Sequence, residues 1–302
     1  PRMDQFRILL GLTTLALVPQ LHAINDIPEG ELLWLQGFDG NLPTPGFRVD
    51  GTLLLRSVDD IANIGVNLIS GAITNSPTGT IRVEVGVTGA RFINGSVLNQ
   101  GQFKVDSSLS FNRANSYCLN TGSFTVGSAF VARFLGKGTQ FTQQDGTLVV
   151  GERGFELYDG SFAYTGGEIT GQPTFFRTQV TYATAAVAPF QPRLIGPGGS
   201  FHGPLGPDLY LRILGASGQG GDTAVTLTDT GDLRGRLEIG QYSGGSNVRV
   251  VAAAGVLNVA PTGSLTIKPT GGAGATLEGN LANDGTLNVD TTFIVANPGS
   301  TA

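Results

Sequence analysis

The sequence predicts an all-β fold, a right-handed parallel β-helix (a β-solenoid) built from coils of about 21–24 residues. Three observations lead to this prediction. Glycine is abundant while charge is scarce, a short phrase with alternating apolar residues keeps returning, and no apolar run with the period of a helix follows the first 23 residues. Right-handedness follows from the general rule for crossover connections between parallel strands.

The composition excludes several classes of protein. Glycine supplies 46 of 302 residues and charged residues only 14%, which suits many tight turns between short strands. The 40% of hydrophobic residues can build a core, so a disordered chain is not expected. The net charge is −5 and no basic stripe occurs, so nucleic acid is not expected as a partner. The single cysteine, Cys118, is predicted to be a buried thiol, with a reactive or intermolecular thiol as the alternative.

The N-terminal segment has the features of an export signal. Arg7 supplies positive charge, residues 8–18 form an apolar run too short to span a bilayer, and Ala23 precedes a candidate cleavage site. Residues 1–23 are therefore predicted to be a signal peptide that starts at Met3, with Pro1 and Arg2 as upstream residues; the alternative is a buried N-terminal helix. The expected location is secreted or at the cell surface, with no transmembrane helix.

The recurring phrase is x-Gly-x-apolar-x-apolar. Strict alternation after the glycine predicts a strand with one buried face, and stacked coils would place these strands in parallel, about 4.8 Å apart. Asn or Asp before the glycine predicts a turn with positive φ, and stacked Asn side chains are predicted to form ladders. The phrase recurs at Gly51, Gly79, Gly101, Gly122, Gly146, Gly231, Gly255, Gly263 and Gly285.

The phrase divides the chain into blocks. After the signal, residues 24–170 are predicted to form one solenoid block and residues 223–302 to continue it, ending in a way that suggests a longer reading frame. Residues 171–222 are rich in Pro and Gly and are predicted to be irregular, since proline cannot donate to a ladder. Phe103 and Phe124 should stack in successive coils, and Trp34 should pack over the N-terminal end of the core.

Acid–base chemistry has two weak candidates. Asp59 and Asp60 are adjacent carboxylates that could act as acid and base, but neighbouring strand residues face opposite sides, so a solvated turn is the favoured interpretation. His202 is the only histidine left after cleavage at Ala23, and an exposed loop position is favoured over catalysis.

Ligand binding has candidates of equally low specificity. Asp222 follows a stretch with a faint resemblance to a calcium-binding repeat, and Asp222, Asp229 and Asp232 would be the ligands if calcium bound. Otherwise no cofactor is expected. Tyr158 and Tyr164 in "YDGSFAY" are candidates for stacking on a glycan.

The phrases "NQGQFKV", "NTGSFTV" and "NDGTLNV" resemble those of secreted parallel β-helix proteins, especially bacterial surface adhesins and autotransporter passenger domains, over residues 51–164 and 231–295. The resemblance implies a structural or adhesive protein without catalytic activity, with the cell surface, an extracellular glycan or the matrix as partner. A polysaccharide-active enzyme (lyase or hydrolase) would instead need charged residues clustered on one face. A glycan-binding module would need aromatic residues aligned on one flank.

Overall fold

The computed structural model describes residues 7–9, 15–17, 26–35, 43–57, 63–87, 89–151, 154–183, 189–219, 221–229, 231–268 and 274–296. These ranges contain strands, turns and loops and no helix, so none of them offers a helical membrane span. The chain divides into two compact units, Pro1–Glu156 and Leu157–Ala302.

The first unit is a stack of parallel coils. One sheet runs in the order β3, β6, β8, β10, β13, β16, with every neighbouring pair parallel. The second sheet contains β4, β5, β7, β9, β11, β12, β14 and β15, which are joined by parallel pairs. The strands are β1 (Arg7–Leu9), β2 (Leu15–Leu17), β3 (Leu32–Leu35), β4 (Pro43–Thr44), β5 (Phe47–Val49), β6 (Thr52–Leu55), β7 (Ile64–Asn75), β8 (Thr80–Glu84), β9 (Arg91–Asn99), β10 (Gln102–Asp106), β11 (Leu109–Phe111), β12 (Tyr117–Asn120), β13 (Ser123–Val126), β14 (Ala132–Phe134), β15 (Gln140–Gln143) and β16 (Thr147–Val149).

The second unit repeats the same architecture, and the boundary between the units falls inside β17. Here β18, β21, β23, β25, β27, β29 and β31 pair in parallel in that order. A second parallel series contains β20, β22, β24, β26, β28 and β30. The strands are β17 (Phe155–Tyr158), β18 (Ser161–Tyr164), β19 (Glu168–Thr170), β20 (Thr174–Phe176), β21 (Gln179–Tyr182), β22 (Arg193–Ile195), β23 (Pro197–His202), β24 (Tyr210–Ala216), β25 (Thr223–Leu227), β26 (Arg236–Ser243), β27 (Val248–Val259), β28 (Ser264–Ile267), β29 (Ala275–Asn283), β30 (Thr286–Val289) and β31 (Phe293–Ala296).

Each coil takes about 23 residues, so the predicted parallel β-solenoid is confirmed. Its core is made of the inward side chains of successive strands. Phe103 and Phe124 are fully buried partners in neighbouring coils, and their ring centroids lie 4.7 Å apart at an interplanar angle of 20°. The predicted stack of these two rings is therefore present, and it fixes the register of the surrounding strands.

In the segment 171–222, which is predicted to be irregular, the described residues carry five strands, β20 to β24. These strands pair in parallel, with register shifts in β23 and β24. Its prolines lie between strands or at a strand start, where the missing N–H matters least. Pro173 and Pro192 precede β20 and β22, and their carbonyls accept from Arg193 N and Arg212 N on the following coils at 3.0 Å. Proline density here marks turns of the solenoid.

The asparagines before three of the phrase's glycines, Gly79, Gly101 and Gly122, form the predicted ladder. Asn75 Nδ2 donates to Asn99 Oδ1 at 2.7 Å, and Asn99 Nδ2 donates to Asn120 Oδ1 at 2.6 Å. Asn120 Nδ2 donates to Gln143 Oε1 at 2.7 Å, and Gln143 Nε2 ends the series on Asp145 O. All four amide side chains are fully buried. The ladder satisfies polar groups that would otherwise be costly inside the stack, and it runs in one direction.

The glycines of the phrase fall into two groups. Gly146 and Gly255 have the predicted positive φ, of 64° and 80°. Gly101, Gly122 and Gly285 do not have positive φ. A Cβ on Gly122 would lie 2.3 Å from Gly101 O, and on Gly101 it would lie 2.2 Å from Ser76 O. On Gly285 it would lie 2.2 Å from Ala260 O. At these three positions glycine is required because the backbone of the preceding coil approaches too closely for any side chain.

Two single residues were also interpreted from sequence. Cys118 is buried as predicted, and burial raises the pKa of its thiol, so the reactive thiolate is disfavoured. Trp34 does not cover the end of the core, because Leu33 and Leu35 face inward and Trp34 lies between them on the outer side of β3. The indole N–H of Trp34 donates to Arg56 O at 3.3 Å.

The predicted signal peptide lies mostly outside the described residues. Its two described pieces, β1 and β2, pair with each other antiparallel, and Leu9 pairs with Leu32 at the start of β3. Neither piece is helical, so the alternative of a buried N-terminal helix has no support in the described part of residues 1–23.

Candidate functional site

The two acid–base candidates have different outcomes. Asp59 and Asp60 lie outside the described residues. His202, at the end of β23, is exposed and bridges two groups of the following coil: Nδ1 lies 2.9 Å from Thr228 Oγ1, and Nε2 lies 3.3 Å from Asp229 Oδ2. Thr228 Oγ1 also donates to Phe201 O at 3.1 Å, so its proton is directed away from the imidazole. Thr228, His202 and Asp229 are residue types found in nucleophilic triads, but the Thr228 hydroxyl does not donate its proton to the imidazole.

The three calcium candidates have separate partners. The carboxylate of Asp222 accepts from Asn247 Nδ2 and from Asn247 N at 2.9 Å each, and these bonds hold the pKa of Asp222 below its ordinary value. Asp232 lies 3.5 Å from the guanidinium of Arg234, and Asp229 faces His202. Within the described ranges, no three His, Cys, Asp or Glu side chains are grouped closely enough to hold a metal ion.

The two glycan candidates differ in accessibility. Tyr164 is fully buried and its hydroxyl donates to Gly167 O at 2.8 Å, so the ring cannot stack on a sugar. The alternation of β18 turns Tyr164 inward with Phe162. Tyr158 is only half-buried, and its ring stacks on Phe176 with centroids 4.3 Å apart at an angle of 6°. Tyr158 therefore belongs to a partly accessible surface, which the outward side of the second unit provides.

We call this surface the outer face. It consists of the side chains of β20, β22, β24, β26 and β28 that point away from the core, together with the residues that pack on them. Several are buried although they lie opposite the core: Phe176 and Ile195 are 2% and 1% exposed. Polar and apolar side chains form two adjoining groups on this face. The groups meet on β24, where Arg212 belongs to the polar group and Leu214, the next outward residue, belongs to the apolar group.

The first group, the charged cluster, comprises Tyr210, Arg212, Arg236, Glu238 and Lys268. Tyr210 Oη donates to Glu238 Oε2 at 2.6 Å, and Lys268 Nζ lies 2.8 Å from the same oxygen. The guanidinium carbons of Arg212 and Arg236 lie 4.8 and 4.4 Å from the centre of the Tyr210 ring, within range of cation–π attraction. Three cations and one carboxylate therefore meet on three successive coils.

The electrostatics of Glu238 reflect two opposing effects. Burial disfavours the carboxylate, but hydrogen bonds from Lys268 and Tyr210 outweigh it, and the pKa of Glu238 lies below its ordinary value. The pKa of Lys268 is raised by its bond to Glu238, and the pKa of Tyr210 is raised by burial and by the same carboxylate. Glu238 is thus held ionised, as an anchor for the cations around it.

The second group, the aromatic cluster, comprises Tyr158, Phe176, Ile195, Leu214, Ala216 and Tyr242. Phe176 lies at its centre, with Tyr158 stacked on it and Tyr242 at 6.3 Å in an edge-on orientation. Tyr158 and Tyr242 are half-buried, whereas the other four members of the cluster are buried. Gly240 is the partner of Leu214 in the next coil and lies between Leu214 and Lys268. Because Gly240 has no side chain, nothing from this position separates these two residues.

A strained ion pair borders the aromatic cluster. Arg177 and Asp159, which follow Phe176 and Tyr158 in the chain, have φ of 52° and 50°, a region that non-glycine residues rarely adopt. Arg177 Nε and Nη2 donate to the two oxygens of Asp159 at 2.7 and 2.8 Å, and Arg177 Nη1 reaches Gln219 at 3.3 Å. Backbone strain held by a bidentate ion pair is typical of surfaces kept in one geometry.

Sequence reasoning missed the charged cluster because its members are dispersed along the chain. They occur in "YLRIL", "RLEI" and "SLTIK", which look unrelated until the coils are aligned. Once Leu211, Leu237 and Leu265 are recognised as core partners, the alternation places Tyr210 beside Arg236, and Arg212 beside Glu238. A search for polar residues at equivalent outward positions of neighbouring coils would have found the cluster.

The chain matches no protein-family model, no curated protein and no solved structure. The resemblance to surface adhesins and autotransporter passenger domains is therefore supported at the level of the parallel β-solenoid architecture, which the structure shows.

Proposed function

We propose that this protein is a secreted or cell-surface β-solenoid of the structural or adhesive kind, without catalytic activity. The observation that supports the proposal is the use made of charged side chains. Several carboxylates of the described surface are paired with cations on their own or a neighbouring coil, as in Glu84 with Arg82 and Glu278 with Arg249. A carboxylate neutralised by a fixed cation is a poor acid or base, whereas such pairs suit a persistent scaffold.

Export is the first part of the proposal and has its own test. Expression of the chain from Met3 in a bacterial host should yield a mature protein that begins at Ile24, because the apolar run and Ala23 provide a signal-peptidase site. N-terminal sequencing of the exported protein would show this. Retention of an uncleaved chain inside the cell would contradict the export proposal.

The second part is adhesion without turnover. The purified protein should coat polysaccharide or matrix surfaces, through many similar coils acting together, and release no reducing ends or unsaturated products from them. The assay should use pectin, alginate and neutral glucans, with and without calcium. Failure to bind any such surface would refute the adhesion proposal.

A polysaccharide-active enzyme is the second candidate. The charged cluster gives it a location, since Glu238, Lys268 and two arginines lie together on one face, but Lys268 holds Glu238 ionised. Product release that persists in Asp59→Asn, Asp60→Asn and His202→Ala but disappears in Glu238→Gln would establish this alternative and locate it. Loss of product release in His202→Ala would place the activity instead at the bridge between Thr228 and Asp229.

A further inference from the structure

We propose that the outer face of the second unit binds an acidic polysaccharide, with the anionic groups on the charged cluster and the sugar rings on Tyr158 and Tyr242. The inference rests on the proposed adhesive function and names its ligand class and its location. It uses two independent observations, an excess of cations and a pair of accessible aromatic rings, which occur on the same face.

The charge balance of the outer face favours an anion. Arg212, Arg236 and Lys268 oppose a single carboxylate, Glu238, in a chain whose net charge is −5. Glu238 is only 8% exposed, whereas Arg236 and Lys268 are exposed. An approaching ligand therefore meets the cations before it meets the carboxylate. Guanidinium groups suit carboxylate and sulfate groups because they can donate two parallel hydrogen bonds.

The cations are also held in place before a ligand arrives. Arg236 lies over the ring of Tyr210, and the Tyr210 hydroxyl is itself fixed by Glu238. A guanidinium that stacks on an aromatic face directs its N–H groups sideways, so binding need not immobilise a freely rotating side chain. Lys268 is held by the same Glu238 oxygen.

The aromatic cluster supplies the surface for the sugar rings. Pyranose rings present C–H groups that pack on the flat face of an aromatic side chain, and the polar edge of tyrosine tolerates water at the same site. Tyr158 is supported from behind by Phe176, and Tyr242 contacts Phe176 edge-on. The strained pair Arg177 and Asp159 fixes the adjacent turns.

The two clusters adjoin along and across the strands. Lys268 lies opposite Gly240, which is the partner of Leu214 in the aromatic cluster. A chain molecule with repeating rings and charges can therefore contact both clusters at once. A small free anion would engage only the charged cluster, and a neutral glycan only the aromatic cluster.

The test measures binding of defined oligosaccharides to the full chain by isothermal titration calorimetry. The probes are hexagalacturonate, a sulfated hexasaccharide, cellohexaose as the neutral counterpart, and inorganic sulfate. We expect at least one of the two acidic hexasaccharides to bind more tightly than cellohexaose and sulfate, with an affinity that falls as NaCl rises. Equal affinity for cellohexaose, or binding of sulfate as tight as that of both acidic hexasaccharides, would overturn the inference.

Variants locate the site. Arg236→Gln/Lys268→Gln and, separately, Tyr242→Leu should each weaken binding about tenfold or more, which corresponds to about 1.4 kcal/mol. The matched controls are Arg234→Gln/Arg249→Gln, which removes two cations elsewhere in the same unit, and Tyr117→Leu, which removes a tyrosine that is 43% exposed in the other unit. Equal losses in variants and controls would overturn the assignment of the site.

A parallel adhesion assay separates the two proposals. If the wild type adheres to polysaccharide surfaces and Arg236→Gln/Lys268→Gln adheres equally well, the adhesive function stands and the outer face is not its site. If the wild type adheres to none, the proposed function itself fails. Circular dichroism and thermal melting of each variant show whether a loss of binding reflects a loss of fold; Arg236→Gln alone, at an exposed position, serves as the milder variant.

Discussion

The side-chain amide of Asn99 donates to the side-chain oxygen of Asn120 on the next coil at 2.6 Å, and both residues are completely buried. Each of these asparagines also donates to a backbone carbonyl of the following strand, Asn99 to Ser123 O and Asn120 to Thr147 O. The ladder therefore ties side chains to each other and to the backbone that turns around them.

Removing one member of the ladder should destabilise the fold. Asn120→Leu removes the acceptor for Asn99 and the donors for Gln143 and Thr147, and it should lower the free energy of unfolding by about 3 kcal/mol in urea titrations. Asn112→Leu, at an exposed asparagine, should change it by less than about 0.5 kcal/mol. Equal effects would mean that the ladder contributes nothing to stability.

The first member of the ladder, Asn75, has a free acceptor position that a substitution on the preceding coil could fill. Asn75 Oδ1 is buried and has no hydrogen-bond partner among the described residues, and Val49 lies opposite Asn75 on the preceding coil. Val49→Asn could donate to this oxygen and extend the ladder by one coil, whereas Val49→Asp would place a second acceptor there. We expect the asparagine variant to be more stable than the aspartate variant by about 1–3 kcal/mol at neutral pH, measured in urea.

Glycine substitutions should separate two kinds of glycine. Gly122→Ala and Gly122→Asn should both lower the melting temperature markedly, because any Cβ meets Gly101 O. At Gly255, φ is +80° and the space around a Cβ is open, so Gly255→Asn should be better tolerated than Gly255→Ala. An advantage of Asn over Ala at Gly122 would restore the left-handed turn as the reason for glycine there.

The pH dependence of stability should reveal Glu238. The pKa of Glu238 in the folded protein lies below the ordinary glutamate value of 4.5. The carboxylate therefore stabilises the fold above about pH 4.5, and this contribution is lost as the pH falls through the lower folded value. Glu238→Gln should be less stable than the wild type at pH 7, and the difference should shrink toward pH 3 in denaturation series. A difference independent of pH would assign the effect to packing.

Strand alternation accounts for what the sequence could predict. The inward pairing of Phe103 with Phe124 and the burial of Cys118 follow from period 2 and from a coil length that the glycines mark. The predicted conformation is wrong for Gly101, Gly122 and Gly285, because Asn-x-Gly is typical of left-handed turns and only the neighbouring coil reveals the close carbonyl at Gly122.

The outer face was less predictable because it depends on tertiary register. Tyr158 and Tyr164 look equivalent in sequence, yet one is half-buried on the outer face and the other is in the core. Coils of unequal length separate Arg212 from Glu238 and Lys268, so no local pattern joins them. Segment 171–222 looks irregular in sequence because its prolines are conspicuous and its runs of alternating apolar residues are short and few.

The identical amides of the ladder do not specify which coils pair with each other during folding. Asn75, Asn99 and Asn120 offer the same donor and acceptor, so pairing that skips a coil would satisfy the amides as well as native pairing does. The coils are distinguished by the paired rings of Phe103 and Phe124 and by their unequal turns, such as the one that contains Pro77 and the one lengthened by Asp145. We therefore expect skipped-coil traps during refolding, seen as a slow kinetic phase that shortening the Asp145 turn enlarges.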